Sequence, residues 1–332
     1  MRPVPVETQP HRTLSRRTGG ARDTHTRDRE AHTDRQIGWQ KGRQTDAKRA
    51  VTHCFYSNPP LLWTHPPSNL AYRSPPLAGQ MQNEAACKTL EQVLENTSDD
   101  SMVRHEAAEA LGAIGACSSV PALERFTSDP APEVSQTCQL ALDLIAWRRK
   151  QQDQEGAGLD APAAAGKDQA LGSGPSDANP YLSVDPAPSC GEGGEGEEGG
   201  TEEEMGKRLR DQDRTLFERY RAMFSLRNRG GEAAALELAS AFDGEENSLF
   251  KHEVAYVLGQ MQHPATVTAL GIVLADLGEH QMVRHEAAEA LGAIGGEKAV
   301  ALLKTFMEDD VAAVKESCEV ALDTMDYWSN RG

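Results

Sequence analysis

Three histidines in this chain are each followed directly by a glutamate: His105-Glu106, His252-Glu253 and His285-Glu286. Imidazole and carboxylate side by side suit iron, manganese or zinc, and no thiolate accompanies them here. His252 and His285 lie 33 residues apart, the length of one helix-pair repeat, and stacked repeats bring equivalent positions next to one another. His252, Glu253, His285 and Glu286 are therefore expected to be neighbours. His252, His285 and Glu286 would be metal ligands, with Glu253 and Glu289 as further negative charge fit to receive a cation. Two such half-sites facing each other would hold two metals, unlike a zinc hydrolase, which keeps three ligands and one open position. A pair of irons in a nitrogen–oxygen shell suits activation of dioxygen. The alternative is a metal-free scaffold, in which most of these residues only build helices; histidine is the one residue such a scaffold does not need.

The element that must position these groups repeats. The fourteen residues 282–295, MVRHEAAEALGAIG, recur letter for letter at 102–115, an offset of 180. At roughly 100° per residue with His285 at zero, Glu286 lies near ~100° and Glu289 near ~40°, while Ala287, Ala288, Ala290, Leu291 and Ile294 occupy about 140–300°. Alanine and leucine favour the helix, and Gly295 stands where a left-handed C-terminal cap belongs. Small side chains on the apolar face let a neighbouring helix approach closely. One such helix cannot bury its stripe alone, whereas a stack of helix pairs can. The spacing thus predicts an all-α solenoid, and valine-arginine-x-glutamate followed by alanines, leucine and glycine is close to a generic HEAT-like repeat helix. The same offset relates GQMQ at 79–82 to 259–262, and the segment around Cys138 (136–143) to that around Cys318 (316–323). Segments 79–147 and 259–327 are copies in register.

Composition divides the chain into four parts. Residues 1–50 carry twelve Lys and Arg against six Asp and Glu, although the whole chain has a net charge of −17. The body is strongly acidic, which fits a basic partner surface and also keeps a protein soluble. Residues 1–78 lack apolar periodicity, a secretory h-region and the aromatic interleaving of a nucleic-acid-binding arm, so solvated disorder is expected there. Applying the offset to His252 and Glu253 leads to Tyr72 and Arg73, beside Pro75 and Pro76. Proline in a helix interior costs about 3 kcal/mol, and the first copy breaks off just before Gly79. The expected domains are a non-homologous segment 1–78, a truncated half 79–147, a flexible acidic linker 148–204 and a complete half 205–328. Helix pairs are expected at 84–94 with 102–115 and at 118–125 with 132–147. The complete half should hold four pairs, beginning with 216–226 and 233–242 and ending with 300–307 and 312–327. No apolar run reaches the 18 residues of a membrane span. The six cysteines are scattered without a CxxC, which fits reduced thiols in the cytosol.

The blocks KHEVAYVLGQMQ and MVRHEAAEALGAIG resemble the His-Glu motifs of the deoxyhypusine hydroxylases. LFERYRAMFSLRN at 216–228, NPYLSVDPAP at 179–188 and ESCEVALD at 316–323 are similar to that family as well. The match at 179–188 is telling, since no repeat physics demands it. The resemblance covers 79–328 apart from the acidic part of the linker. It implies two pseudo-symmetric HEAT-repeat halves, two irons, and dioxygen as co-substrate. The implied reaction is hydroxylation of the deoxyhypusine side chain of eukaryotic translation initiation factor 5A, completing hypusine synthesis. The implied enzyme is a cytoplasmic monomer that binds neither membrane nor nucleic acid. Carried over by position, His252, His285 and Glu286 would bind one iron, and His105 and Glu106 the other. Glu253 resembles the acid that holds the cationic substrate chain, a role consistent with the counter-charge a buried polyamine-like chain needs. The family has four His-Glu motifs, and the first is missing here, with Tyr72-Arg73 in its place. Two other possibilities therefore stand beside the oxygenase: a catalytically incomplete relative, and a metal-free HEAT-repeat adaptor.

Overall fold

The computed structural model describes residues 79–156, 180–181, 183–191 and 200–329; the expected disorder of 1–78, with Tyr72 and Arg73, lies outside them. Among the described residues every long element is helical. In chain order these are α1 (Cys87–Glu95), α2 (Ser101–Ile114), α3 (Val120–Phe126), α4 (Pro132–Gly156), α5 (Glu202–Arg210), α6 (Leu216–Arg229), α7 (Gly231–Ala239), α8 (Ser248–Met261), α9 (Val267–Ala275), α10 (Gln281–Ile294), α11 (Gly296–Thr305) and α12 (Ala312–Ser329). Helix starts are set by side chains that take the free N–H groups of the first turn. Asp100 accepts from the Met102 N–H, Asn247 from Phe250 and His280 from Met282. Thr201 with Glu204, and Thr215 with Glu218, form complete capping boxes.

The even-numbered helices form one layer, α2 on α4 and then α6, α8, α10 and α12 in succession; the odd-numbered helices back them. This is the solenoid the periodicity predicts. An arginine locks each of three pairs. Arg104, Arg219 and Arg284 donate through Nε to the carbonyls of Leu94, Leu209 and Leu274, at 3.0, 2.8 and 3.0 Å. Their guanidinium ends meet Asp129, Glu245 and Asp309. Close helix approach rests on glycine: a Cβ on Gly112 would stand 2.7 Å from the Ala141 Cβ, and one on Gly292 2.6 Å from the Ala321 Cβ. The two halves meet where α4 packs on α6 and α8. Leu140 of α4 is buried in the second half's core, and Met102 of α2 packs against it.

The structure corrects several boundaries. α4 continues to Gly156, nine residues past the expected start of the linker at 148. Arg148 donates to the carbonyls of Gly112 and Ala113, so the extension closes the end of α2. Residues 183–191, expected to be flexible, form a buried strap. Asp185 is paired with Arg227 (2.8 and 2.5 Å), Val184 exchanges hydrogen bonds with Gln80, and Ala187 and Cys190 lie in the second core. Helix α5 occupies part of the expected acidic linker, because the Thr201 capping box organises the glutamates there into a first helical turn. The four pairs of the second half are therefore α5/α6, α7/α8, α9/α10 and α11/α12. Gly295 has the positive φ of a left-handed cap (74°) but ψ −167°. It turns the chain straight into α11, while its counterpart Gly115 (φ 73°, ψ 17°) is left-handed. Only glycine adopts the Gly295 conformation without strain.

Candidate metal centre

Helices α2, α8 and α10 bring the three His-Glu pairs together across the seam between the halves. The His252 ring lies 5.4 Å from that of His105, edge-on, and 5.7 Å from that of His285. Two groups of ligand atoms result, His105–Glu106–His252 and His252–His285–Glu286, with all atoms of each group within 4.8 Å of one another. With metal–ligand bonds of about 2.1 Å, ligands on opposite sides of one ion lie about 4.2 Å apart, so each group closes on an ion by shifts of a few tenths of an ångström. The expected ligands His105, Glu106, His252, His285 and Glu286 thus converge. One feature differs from the expected pair of separate half-sites: His252 takes part in both groups.

The donor set fits a cation. His105 Nε2 is 3.2 Å from Glu106 Oε1. Its Nδ1 is 3.4 Å from Thr137 Oγ1, and that hydroxyl gives its proton to the Glu133 carbonyl. Thr137 is left to accept from Nδ1–H, so in the neutral ring Nε2 and the carboxylate oxygen turn lone pairs toward one another. His285 Nδ1 faces Glu289 Oε1 at 3.5 Å, and Glu289 also accepts from the Ser317 hydroxyl at 3.1 Å. A carboxylate behind a histidine in this way orients the ring and raises its basicity as a ligand. Neither nitrogen of His252 has a hydrogen-bond partner, nor has either oxygen of Glu286; Glu106 Oε2, Glu253 Oε1 and Glu289 Oε2 are likewise buried and unpaired. Buried polar atoms left in this state cost free energy, and a shared metal ion would satisfy most of them at once.

Electrostatics follow from the same crowding. Burial and the neighbouring imidazoles of His105 and His285 hold His252 well below the usual histidine range, which keeps it in the neutral, ligating form. Burial lowers His105 too, but the adjacent Glu106 carboxylate outweighs it and the net shift is upward. Glu286 is pushed well above the carboxylate range by burial and then by Glu289 and Glu106. Glu253 is raised by burial and by Glu109, and Glu109 is pushed up to about 7 by burial and Glu106. These acids hold protons in the place of a cation.

Glu253, expected to face a substrate, turns away from the ligand groups into a cleft of about 290 Å3 between the halves. Glu109, Tyr220, Leu140, Leu144 and Pro186 line it as well. Glu109, Thr137 and the strap residue Pro186 are contributions that motif reading misses. Glu109 is nonetheless visible as the counterpart of Glu289 at the 180-residue offset, and Thr137 as that of Ser317.

Comparison with known proteins agrees with this architecture. A model of HEAT repeats matches residues 62–143 and 235–323. The chain is similar to the deoxyhypusine hydroxylase of Danio rerio, 40% identical over 305 residues that span 92% of this chain and 88% of that protein. It is also similar to the deoxyhypusine hydroxylase of Homo sapiens, 45% identical over 253 residues, 76% of this chain and 74% of that one. The solved structure of human deoxyhypusine hydroxylase in complex with glycerol superposes with a TM-score of 0.65 at 42% identity, covering 83% of each chain.

Proposed function

The chain belongs to the deoxyhypusine hydroxylase family, and we propose that it uses iron and dioxygen to hydroxylate the deoxyhypusine side chain of eukaryotic translation initiation factor 5A in the cytoplasm. The observation that carries this reading is the pair of nitrogen–oxygen groups meeting at His252, with buried ligand atoms that no protein group satisfies. His252, His285 and Glu286 would hold one iron, and His105 and Glu106, within reach of His252, the other. Bound iron would supply the electrons that activate dioxygen, so that one oxygen atom enters a C–H bond and the other leaves as water. The chain's own residues hold and orient. Glu289 and Thr137 fix the rings of His285 and His105, and the leucines of the cleft exclude water. Glu253 binds the cationic substrate chain there. The net charge of −17 suits a basic protein partner.

The sharing of His252 supports a second reading, a catalytically incomplete relative that carries one iron. Iron content of the full chain after anaerobic ferrous loading and desalting separates the two. The oxygenase should retain two irons per chain, with His252→Ala emptying both positions and His285→Ala or His105→Ala emptying one each. A single iron lost with His252 or His285 but indifferent to His105 would establish the incomplete relative. No retained iron would leave a HEAT-repeat adaptor and sink the proposal.

A further inference from the structure

Glu109 and Glu289 occupy the same place in two identical fourteen-residue blocks, yet their surroundings differ. Glu289 is 4% exposed; it accepts from Ser317 and faces His285 Nδ1. In the first half the corresponding place beside His105 Nδ1 is taken by Thr137. Glu109 is thereby released. It makes no hydrogen bond or ion pair among the described residues, and it lines the inter-half cleft together with Glu253. Glu253 is 3% exposed and its Oε1 has no partner. The remaining lining is mostly apolar, with Leu140, Leu144, Pro186 and Leu249 among it, and the Thr137 hydroxyl is engaged by the Glu133 carbonyl.

Two carboxylates in an apolar cleft repel anions and leave neutral polar groups without donors. They suit a linear chain whose methylenes lie against leucine while protonated amines meet the acids. From this geometry we infer that Glu109 is a second cation-binding residue, which together with Glu253 grips the amine nitrogens of a polyamine-type substrate chain. One acid comes from each half, so the cleft demands more than one positive charge, and the first half contributes an acid although Arg73 stands at the sequence position equivalent to Glu253. The inference rests on the proposed role of Glu253 in substrate binding.

Calorimetric titration of the full chain with spermidine, and with 1-aminooctane as a singly charged control, tests it. Glu109→Gln should weaken spermidine binding about tenfold or more while changing 1-aminooctane by less than about threefold. It should leave iron content and melting temperature unchanged, and Glu109→Asp should restore much of the affinity. Spermidine binding by Glu109→Gln at the parent's affinity, with Glu253→Gln defective, overturns this inference and leaves the role of Glu253 standing. Parent-like binding in both variants, or no binding by the parent, overturns the cleft as a cation site and the substrate reading with it. Equal weakening of both amines with loss of iron would make Glu109 a support of the metal centre instead, and the inference would fall.

Discussion

Replacing Glu286 with glutamine should shift stability in opposite directions with and without metal. Glu286 is fully buried, neither carboxylate oxygen has a hydrogen-bond partner, and burial with the neighbouring acids pushes its carboxyl well above the usual range. An unsatisfied buried polar group costs about 1–3 kcal/mol, and the isosteric amide removes the ionisable part of that cost while keeping the packing. Each kcal/mol corresponds to about 2–4 °C in Tm for a chain of this size, so the metal-free variant should melt roughly 2–8 °C above the parent. Binding at about 100 times Kd stabilises the folded state by about 2.7 kcal/mol, and losing a ligand should erase most of that gain. The iron-loaded variant should therefore melt at or below the iron-loaded parent. Anaerobic differential scanning calorimetry, with chelator and then with ferrous iron, reads both states. A metal-free variant that melts clearly lower than the parent would refute the reasoning, since Glu286 would then be holding the fold. An equal rise in both states would show that this carboxylate is no ligand.

Elsewhere the expected responses are structural. Arg284→Ala breaks a buried pair with side chains only 2% and 5% exposed and should cost about 3–5 kcal/mol in urea unfolding. The hydrogen bond from Arg284 holds the Asp309 carboxyl below its usual range. The pair's contribution is thus fully present above the unfolded carboxylate value and is lost as pH falls through the lower folded one, so parent and Asp309→Asn stabilities should converge in acid; a gap unchanged from neutral to acid would contradict this. Gly112→Ala puts a methyl 2.7 Å from the Ala141 Cβ and 2.9 Å from its Cα, an overpacking worth about 1–3 kcal/mol that Ala141→Gly should relieve. Cys138 and Cys318 are buried with thiols pushed up to about 12. Peptide mapping after iodoacetamide treatment of the folded chain at pH 8 should find them unlabelled and the exposed Cys117 alkylated.

Much of this was legible because duplication is a statement about backbone. The 180-residue offset placed α2 and α10, their caps and the His-Glu pairs, and stacking logic brought His252 beside His285. What it could not show depends on contacts across the seam. His105 approaches His252 because α4 docks on α6 and α8, a contact that no periodicity encodes. The strap at 183–191 reads as linker by composition, but Asp185 meets a fully buried Arg227 and is held. Helix α5 was obscured by glutamates that look like an acidic tail, although Thr201 and Glu204 have capping-box spacing. Wheel geometry placed His285, Glu286 and Glu289 on a polar face, away from the apolar stripe. In the fold Glu286 and Glu289 are as buried as the alanines opposite them, because that face looks onto the other half and not onto water.

The arginine locks carry a consequence for how such a chain can vary. Arg104, Arg219 and Arg284 each reach back ten residues to a leucine carbonyl and forward 25 or 26 to an acid. Register between the two helices of a pair is thus set by one long side chain spanning three segments, with the connecting turn left free of that duty. Loop insertions at 96–99 or 276–279 should then be tolerated far better than a one-residue slip inside either helix. A gene built of such self-fastening modules can gain or shed a pair while its neighbours keep their shape, and only the chemistry gathered between pairs is put at risk.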